Sequence, residues 1–222
     1  MKEILMLAKQ TGLFSAIPDE VIQKDILSNG QIQEYRKGQY VIEPQQRINR
    51  FGIVISGKIN IMHIFPDGNY SLMSAITTGE ILGIDLVCTP KQISPYHAVA
   101  ASQTRVLYYP IARIMVPGHI RESARLQILA NLLALISNEN MKKEYRLAIL
   151  SQKGLRERII TYLSMQSARR KKTTFAISFS REELAAYLCV NRSALSHELS
   201  LMQQEGLIAF HKNYFTILTE KT

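Results

Sequence analysis

The sequence predicts an α+β protein built in series. An N-terminal β-roll of the jelly-roll (double-stranded β-helix) type comes first, then one long helix, then a C-terminal winged helix-turn-helix. Three observations predict this. Residues 31–110 fall into short runs rich in β-branched and aromatic residues, residues 120–150 contain neither Gly nor Pro, and the last fifty residues read as two capped helices followed by a hairpin. The 222 residues suit one large domain or two small ones, and a hydrophobic content of 46% supplies a core.

Taken in chain order, residues 3–28 read as short helices. In "SAIPDEVIQKDIL" Ser15 is placed to cap, Pro18 falls early in the turn, and Asp19 and Glu20 suit the positive end of a helix dipole. The runs "RKGQYVIEP", "RFGIVISGKINIMHIF", "NYSLMSAI" and "VLYYP" follow, separated by Gly- or Pro-containing breaks. "FPDGNY" is a hairpin signal because Gly and Asn accept positive φ. Many short strands at regular spacing indicate a jelly roll or sandwich.

The period changes again after residue 120. In "RESARLQILANLLALISNENMKKEYRLAIL" Leu126, Leu129, Leu133 and Ile136 recur at spacings of three and four, with Leu132 and Leu135 widening the stripe. A stripe that wide lets one side face the domain and another face a partner helix, the alternative being a core helix of a monomer. The expected domains are therefore 1–118, 119–150 and 151–222.

The segment "FSREELAAYLCVNRSALSHELSLMQQEGLIAFHKNYFTIL" is the most informative. "SREE" is a capping box, in which the Ser180 hydroxyl accepts from the third helical amide and Glu183 reaches back. A short helix turns Leu184, Ala185 and Leu188 inward, "CVN" makes a tight turn, and Asn191 caps the next helix. That helix buries Leu195, Leu199 and Met202 and stops at Gly206. "LIAF", "HKN" and "YFTIL" form a hairpin. The exposed face of the second helix carries Arg192, Ser193, Ser196 and His197, side chains able to reach base edges in a major groove. Ser180, Arg181, Asn191 and Lys212, at the helix starts and in the wing turn, are the expected contacts to the phosphate backbone. The competing reading is a winged domain that docks on protein.

Charge suits a polyanionic partner, nucleic acid or an anionic membrane, and its excess in the last third favours nucleic acid, which the winged motif narrows to double-stranded DNA. The net charge is +9, and residues 141–222 hold 14 Lys/Arg against 7 Asp/Glu, whereas residues 1–140 hold 13 against 11. The basic run "ARRKKTT" suits a solvated loop or a phosphate contact. Two cysteines, Cys88 and Cys189, form neither a disulfide framework nor a metal-ligand spacing, and they suit a reducing cytosol. "MKEILMLAKQTGLF" lacks the apolar run and cleavage site of a signal peptide, and no apolar stretch is long enough to span a membrane. A cytoplasmic protein is expected.

These features together resemble the Crp/Fnr superfamily of bacterial transcription regulators, over roughly residues 10–218. "RKGQYVIEP", "FGIVISGKINI" and "TGEILGIDLV" are similar to that family's β-roll, and "NRSALSHELSLMQQEGLI" to its recognition helix and wing entry. The resemblance implies a homodimer paired through the long helices, a two-fold symmetric DNA site with half-sites about 34 Å apart, control by a small effector in the roll, and RNA polymerase as a partner. Arg192 matches an Arg commonly used on a G·C pair, and Ser196 matches a Ser found in part of the family. Ser193 stands where many members carry Glu, and His197 where many carry Arg, so a different half-site is expected.

The effector pocket is expected around Gly79, Glu80, Ile81, Leu82, Gly83, Tyr96 and His97. The family's cyclic-nucleotide cassette places a Glu on the ribose and an Arg on the phosphate. Here Ile84 and "SPYHAVA" occupy those stretches, and a buried phosphate without a cation lacks its charge-assisted partner. That argues against cyclic AMP or GMP. With no Cys in the first 87 residues, an iron–sulfur cluster is also disfavoured. Haem stays open through His63, His97, Met62 or Met73, and Cys88 offers a thiol; a small organic molecule is the default effector, its identity unknown. A cupin-like metalloenzyme would need converging His and carboxylate ligands, and the roll offers only His63 and His97, so no catalytic or metal-binding residues are assigned.

Overall fold

The computed structural model describes residues 2–218. The chain forms two compact units, one containing the residues up to Asn69 with Met73–Met141, the other Tyr70–Leu72 with the residues from Lys142 onward.

The first unit opens with helix α1 (Lys2–Gln10), followed by α2 (Asp19–Val21), which continues into a π turn (Ile22–Ile26) and a 3-10 turn (Leu27–Asn29). Leu13, Phe14, Ile22 and Ile26 are fully buried here. The cap differs from the sequence expectation. Pro18, at φ −59° and ψ 141°, stands at the N-cap position with no side-chain cap. Its ring fixes φ and delays the helix to Asp19. Ser15 lies upstream, where its carbonyl accepts a bond from Asn131 Nδ2 at 2.9 Å.

Eight strands build the roll: β1 (Gln31–Tyr35), β2 (Tyr40–Ile42), β3 (Arg50–Ser56), β4 (Lys58–Ile64), β5 (Tyr70–Thr77), β6 (Ile81–Leu82), β7 (His97–Ala100) and β8 (Thr104–Pro110). They form two four-stranded sheets ordered β1-β8-β3-β6 and β2-β7-β4-β5. Period-2 alternation points Ile59, Ile61, Ala98 and Ala100 into a core shared with Phe51, Ile53, Val54 and Leu107. Two short helices, α3 (Ile84–Val87) and α4 (Ala112–Met115), belong to the same unit. In the "FPDGNY" turn only Gly68 takes positive φ, at 83°. Asn69 instead donates its backbone amide and side chain to the Asp67 carboxylate, which holds that carboxyl below the usual range.

Helix α5 (Glu122–Leu150) is continuous across the division between the units. Ala124, Ile128 and Leu132 are buried in the first unit's core, with Leu129, Leu135 and Ile136 packed at its margin. Asn131 ties the helix to the N-terminal segment by donating to the carbonyls of Leu13 and Ser15.

The second unit contains α6 (Leu155–Arg170), β9 (Thr174–Ala176), α7 (Arg181–Tyr187), α8 (Arg192–Gln204), β10 (Ile208–His211) and β11 (Tyr214–Ile217). Its sheet is ordered β10-β11-β9. Buried Ile159, Tyr162, Leu163, Phe175, Phe179, Leu184, Leu195, Leu199, Met202 and Phe215 supply its core. This is a three-stranded winged helix-turn-helix.

The tightest constraint in the roll is the β3–β4 turn. Gly57 adopts φ +93°, and a Cβ there would lie 2.4 Å from the Gln103 carbonyl oxygen and 2.8 Å from Thr104 Cα. Gly57→Ala therefore combines positive-φ strain with a backbone collision. It should cost about 2–4 kcal/mol, read as a lowered urea midpoint at unchanged m-value.

Candidate nucleic-acid interface

The local chemistry of the second unit is what the sequence specifies. Ser180 Oγ accepts the Glu183 amide at 3.2 Å, and Glu183 Oε2 accepts the Ser180 amide at 2.8 Å, completing the capping box of α7. The turn after α7 places Cys189 at φ 58°, and the Val190 amide bonds back to the Ala185 carbonyl at 3.0 Å. Asn191 then caps α8, its Oδ1 accepting the Ala194 amide at 2.8 Å and the Ser193 hydroxyl at 2.9 Å. Gly206, at φ 71°, ends the segment; a Cβ there would meet nothing within 4 Å, so the position calls for glycine by dihedral angle rather than by space.

Burial sorts the faces of α8. Leu195, Leu199 and Met202 are fully buried, whereas Arg192, Ser193 and His197 are exposed and Ser196 is half-buried. The four residues expected to read bases thus share one free face at the N-terminal half of the helix. Ser200 donates to the Ser196 carbonyl and leaves that face short.

The wing is pinned rather than loose. β10 and β11 pair from Ile208↔Ile217 to His211↔Tyr214, and β11 pairs with β9. The two-residue turn Lys212–Asn213 puts Lys212 at φ 54°, while Asn213 Nδ2 donates to the Ile177 carbonyl at 3.0 Å. Arg181 lies behind this turn. Its Nη2 donates to the Lys212 carbonyl at 3.1 Å, and its guanidinium lies 4.8 Å from the Phe210 ring and 5.6 Å from that of Phe215. Burial, then the charge of Arg192, lowers its pKa from the ordinary guanidinium value. Arg181 thus braces the wing, a task its position in the sequence did not disclose. A cleft of about 410 Å3 is lined by Ser178, Phe179, Ser180, Arg181, Lys212 and Asn213, and so gathers three of the expected backbone-contact residues; Asn191 lies apart, at the start of α8.

The roll treats its expected effector residues differently. Gly79 and Gly83 take positive φ in the turns around β6. Glu80 is occupied by its own turn, accepting the Thr77 amide at 2.7 Å and hydroxyl at 3.0 Å. Ile81 is half-buried and Leu82 fully buried. Tyr96 is buried and donates to Asp85 Oδ1 at 3.0 Å; burial first, then the Asp85 charge, pushes its phenol up. His97 is half-buried with its Nδ1 enclosed, 5.7 Å from the Tyr40 ring and across from Met62. Met73 packs against the core.

A cavity of about 30 Å3 lies elsewhere in the roll, lined by Val41, Ile42, Gln46, Ile48, Arg50, Leu82 and Tyr108. It has room for a water or two and is far below the size of an organic ligand. The Arg50 guanidinium sits 4.2 Å over the Tyr108 ring and donates to Gln33, and the Tyr35 and Tyr108 hydroxyls bond at 2.8 Å. Sequence reasoning passed over this cluster; its one signal was an Arg heading an otherwise apolar strand.

On α5, Leu126 and Leu133 are 56% and 68% exposed, whereas Leu129 and Ile136 pack against the first unit's own core. The stripe is split between the two faces; Met141, Tyr145 and Leu147 are also exposed farther along the helix.

A roll, a long helix with a free apolar edge, and a braced winged helix-turn-helix define a class of DNA-binding transcription regulators. Comparison with known proteins agrees. Residues 32–115 match the cyclic nucleotide-binding domain family and residues 157–221 the Crp-like helix-turn-helix domain family, together about two thirds of the chain. The transcriptional activator protein anr of Pseudomonas aeruginosa is 26% identical over 179 residues, 78% of this chain and 71% of that protein. The fumarate and nitrate reduction regulatory protein of Vibrio cholerae is 21% identical over 189 residues, 82% of this chain and 73% of that one. Two solved structures share the fold. FixK2 from Bradyrhizobium japonicum has a TM-score of 0.66 at 18% identity, covering 86% of this chain and 93% of that one. The c-di-GMP responsive global regulator CLP of Xanthomonas campestris has a TM-score of 0.69 at 15% identity, covering 91% and 100%. The chain belongs to the Crp/Fnr superfamily and is a transcription regulator of that type, not an enzyme. Among the described residues no helix is long and apolar enough to cross a membrane.

Removing the Asn191 cap tests how much of the reading face depends on it. Asn191→Ala should cost about 1 kcal/mol and fray the turn that carries Arg192 and Ser193, while Asn191→Asp should retain most of the stability; thermal unfolding of both variants checks this.

Proposed function

We propose that this chain acts as a homodimer that reads a two-fold symmetric DNA site and responds to a small effector in the roll. The assignment of work is residues 1–118 for sensing, 119–150 for pairing and 151–222 for DNA. The observation that carries the reading is the bare N-terminal half of α8 beside a braced basic wing turn. Arg192, Ser193, Ser196 and His197 read base edges, and Ser180, Asn191 and Lys212 meet phosphates. Arg181 adds its charge from behind the wing turn. Leu126 and Leu133, exposed on α5, form the seam with a second copy, and Leu129 and Ile136 stiffen it from the core side.

The effector is a small molecule taken up around Gly79–Gly83 and Tyr96–His97. Its entry displaces existing contacts such as Tyr96 with Asp85, so that differential affinity for two roll conformations drives the switch. RNA polymerase is the protein partner this function calls for.

Selection from random duplexes, followed by affinity measurements at several salt concentrations, tests the DNA assignment. Arg192→Ala should relax preference at one base-pair position and cost about 1–3 kcal/mol, whereas Lys212→Ala should weaken all sequences alike and reduce the salt slope by about 1. Recovery of no preferred palindrome by the wild-type chain would overturn the reading in favour of a wing that docks on protein. The seam is checked by sedimentation. Leu126→Asp combined with Leu133→Asp should yield monomers that keep the wild-type circular dichroism spectrum.

A further inference from the structure

Helix α8 and the residue that ends it carry two acidic groups, Glu198 and Glu205. Both are bound by one side chain. Arg156, in the first turn of α6, donates from Nε to Glu198 Oε1 at 2.6 Å, from Nη1 to Glu205 Oε2 at 2.6 Å and from Nη2 to Glu205 Oε1 at 2.9 Å. The bond pair to Glu205 is the bidentate fork that a guanidinium makes with a carboxylate, and a lysine cannot reproduce it.

Ion pairs on a surface usually contribute little, because water screens them and two long side chains must be ordered. This arrangement differs in its geometry. The side chains of Arg156 and Glu198 are 33% and 20% exposed, so the centre of the cluster is partly withdrawn from solvent. Glu198 and Glu205 are rooted seven residues apart, two turns or about 10 Å along the helix axis, and their carboxylates converge on the one guanidinium. A planar group fixed at two such points resists both rotation of α8 about its axis and tilt against α6. The apolar contacts of Leu195, Leu199 and Met202 choose the buried face but tolerate small rotations, whereas a fork does not.

Glu198 follows His197 directly and lies within two turns of Arg192, Ser193 and Ser196. A rotation of α8 would move all four of those side chains together. The same bonds also compensate both of the segment's negative charges away from its reading face.

We propose that Arg156 is a positioning residue for sequence readout: by gripping Glu198 and Glu205 it sets the rotation of α8 and so the aim of Arg192, Ser193, Ser196 and His197 toward base edges. This rests on the DNA-reading function proposed above and deepens it.

The test uses the full chain and a duplex selected by the wild type from a random pool, with a scrambled duplex of equal length as competitor. Selectivity is the ratio of the two affinities at fixed salt. Arg156→Lys keeps the charge and loses the fork; it should lower selectivity about tenfold or more while affinity for the scrambled duplex changes little. Glu205→Gln, a milder change at an exposed position, should lower it in the same direction. Arg156→Met should lose selectivity and also non-specific affinity, and adding Glu198→Gln with Glu205→Gln should restore only the latter.

Reselection from the random pool by the Arg156→Lys protein separates positioning from plain loss of stability. Preference should loosen at several base positions at once, in contrast to the single position relaxed by Arg192→Ala. Thermal melts above the assay temperature confirm folded protein, and Glu205→Gln decides the matter if either Arg156 variant fails to fold. Wild-type selectivity in folded Arg156→Lys and Glu205→Gln would overturn the inference while leaving the DNA-binding function intact. Absence of any selected site for the wild type would instead overturn the function on which it rests.

Discussion

The burial of Leu195, Leu199 and Met202 on one side of α8 is the constraint on which the rest depends. Those three positions fall on one helical face, so burying them dictates which residues are left free. Ala185 and Ala186 on α7, both buried, are small enough to let the two helices cross closely. Once that face is committed, Arg192, Ser193 and His197 are left exposed. A helix whose free side carries short polar groups can approach a groove without first displacing its own long side chains.

Rigidity follows from satisfied polar groups around that core. The capping box at Ser180 and the cap at Asn191 occupy amides that would otherwise seek water. Arg181 and Asn213 hold the wing turn through backbone carbonyls, and Arg156 grips α8 through carboxylates. Each joins segments about 30 to 50 residues apart, and the planar fork of Arg156 is one that the compact ammonium of a lysine cannot reproduce. The roll shows the same pattern at three polar side chains: Glu80, Tyr96 and Arg50 all have internal partners.

What was legible in the sequence depends on distance along the chain. The capping box, the Asn191 cap, the stop at Gly206 and the wing hairpin were all legible, because each depends on residues within a few positions of one another. The helix over 122–150 was legible for the same reason. The exceptions are instructive. Ser15 had the spacing of a cap, yet Pro18 set a local dihedral angle that moved the start. Leu126, Leu129, Leu133 and Ile136 formed one periodic stripe in sequence, but packing divided them, because a helix against a domain has two sides and periodicity does not label them. Glu80 and Tyr96, expected near a ligand, each have an internal partner, Thr77 and Asp85, that the sequence did not disclose.

By itself, then, the sequence determined the caps, helices and hairpin of the winged unit, the runs that hold β2, β3, β4, β5 and β8, and that a basic winged unit follows a roll and a long helix. These rest on dihedral preferences, caps and apolar periods, all of which act over a turn or a hairpin. Only the tertiary structure decided that Arg181 braces the wing, that Arg156 holds both acids of α8, that Arg50 lies over Tyr108, and that Leu126 and Leu133 are free while Leu129 and Ile136 are not. Those outcomes depend on which distant surfaces meet, and a charge or an apolar side chain carries no label naming its partner until the backbone has brought the two within a few ångströms.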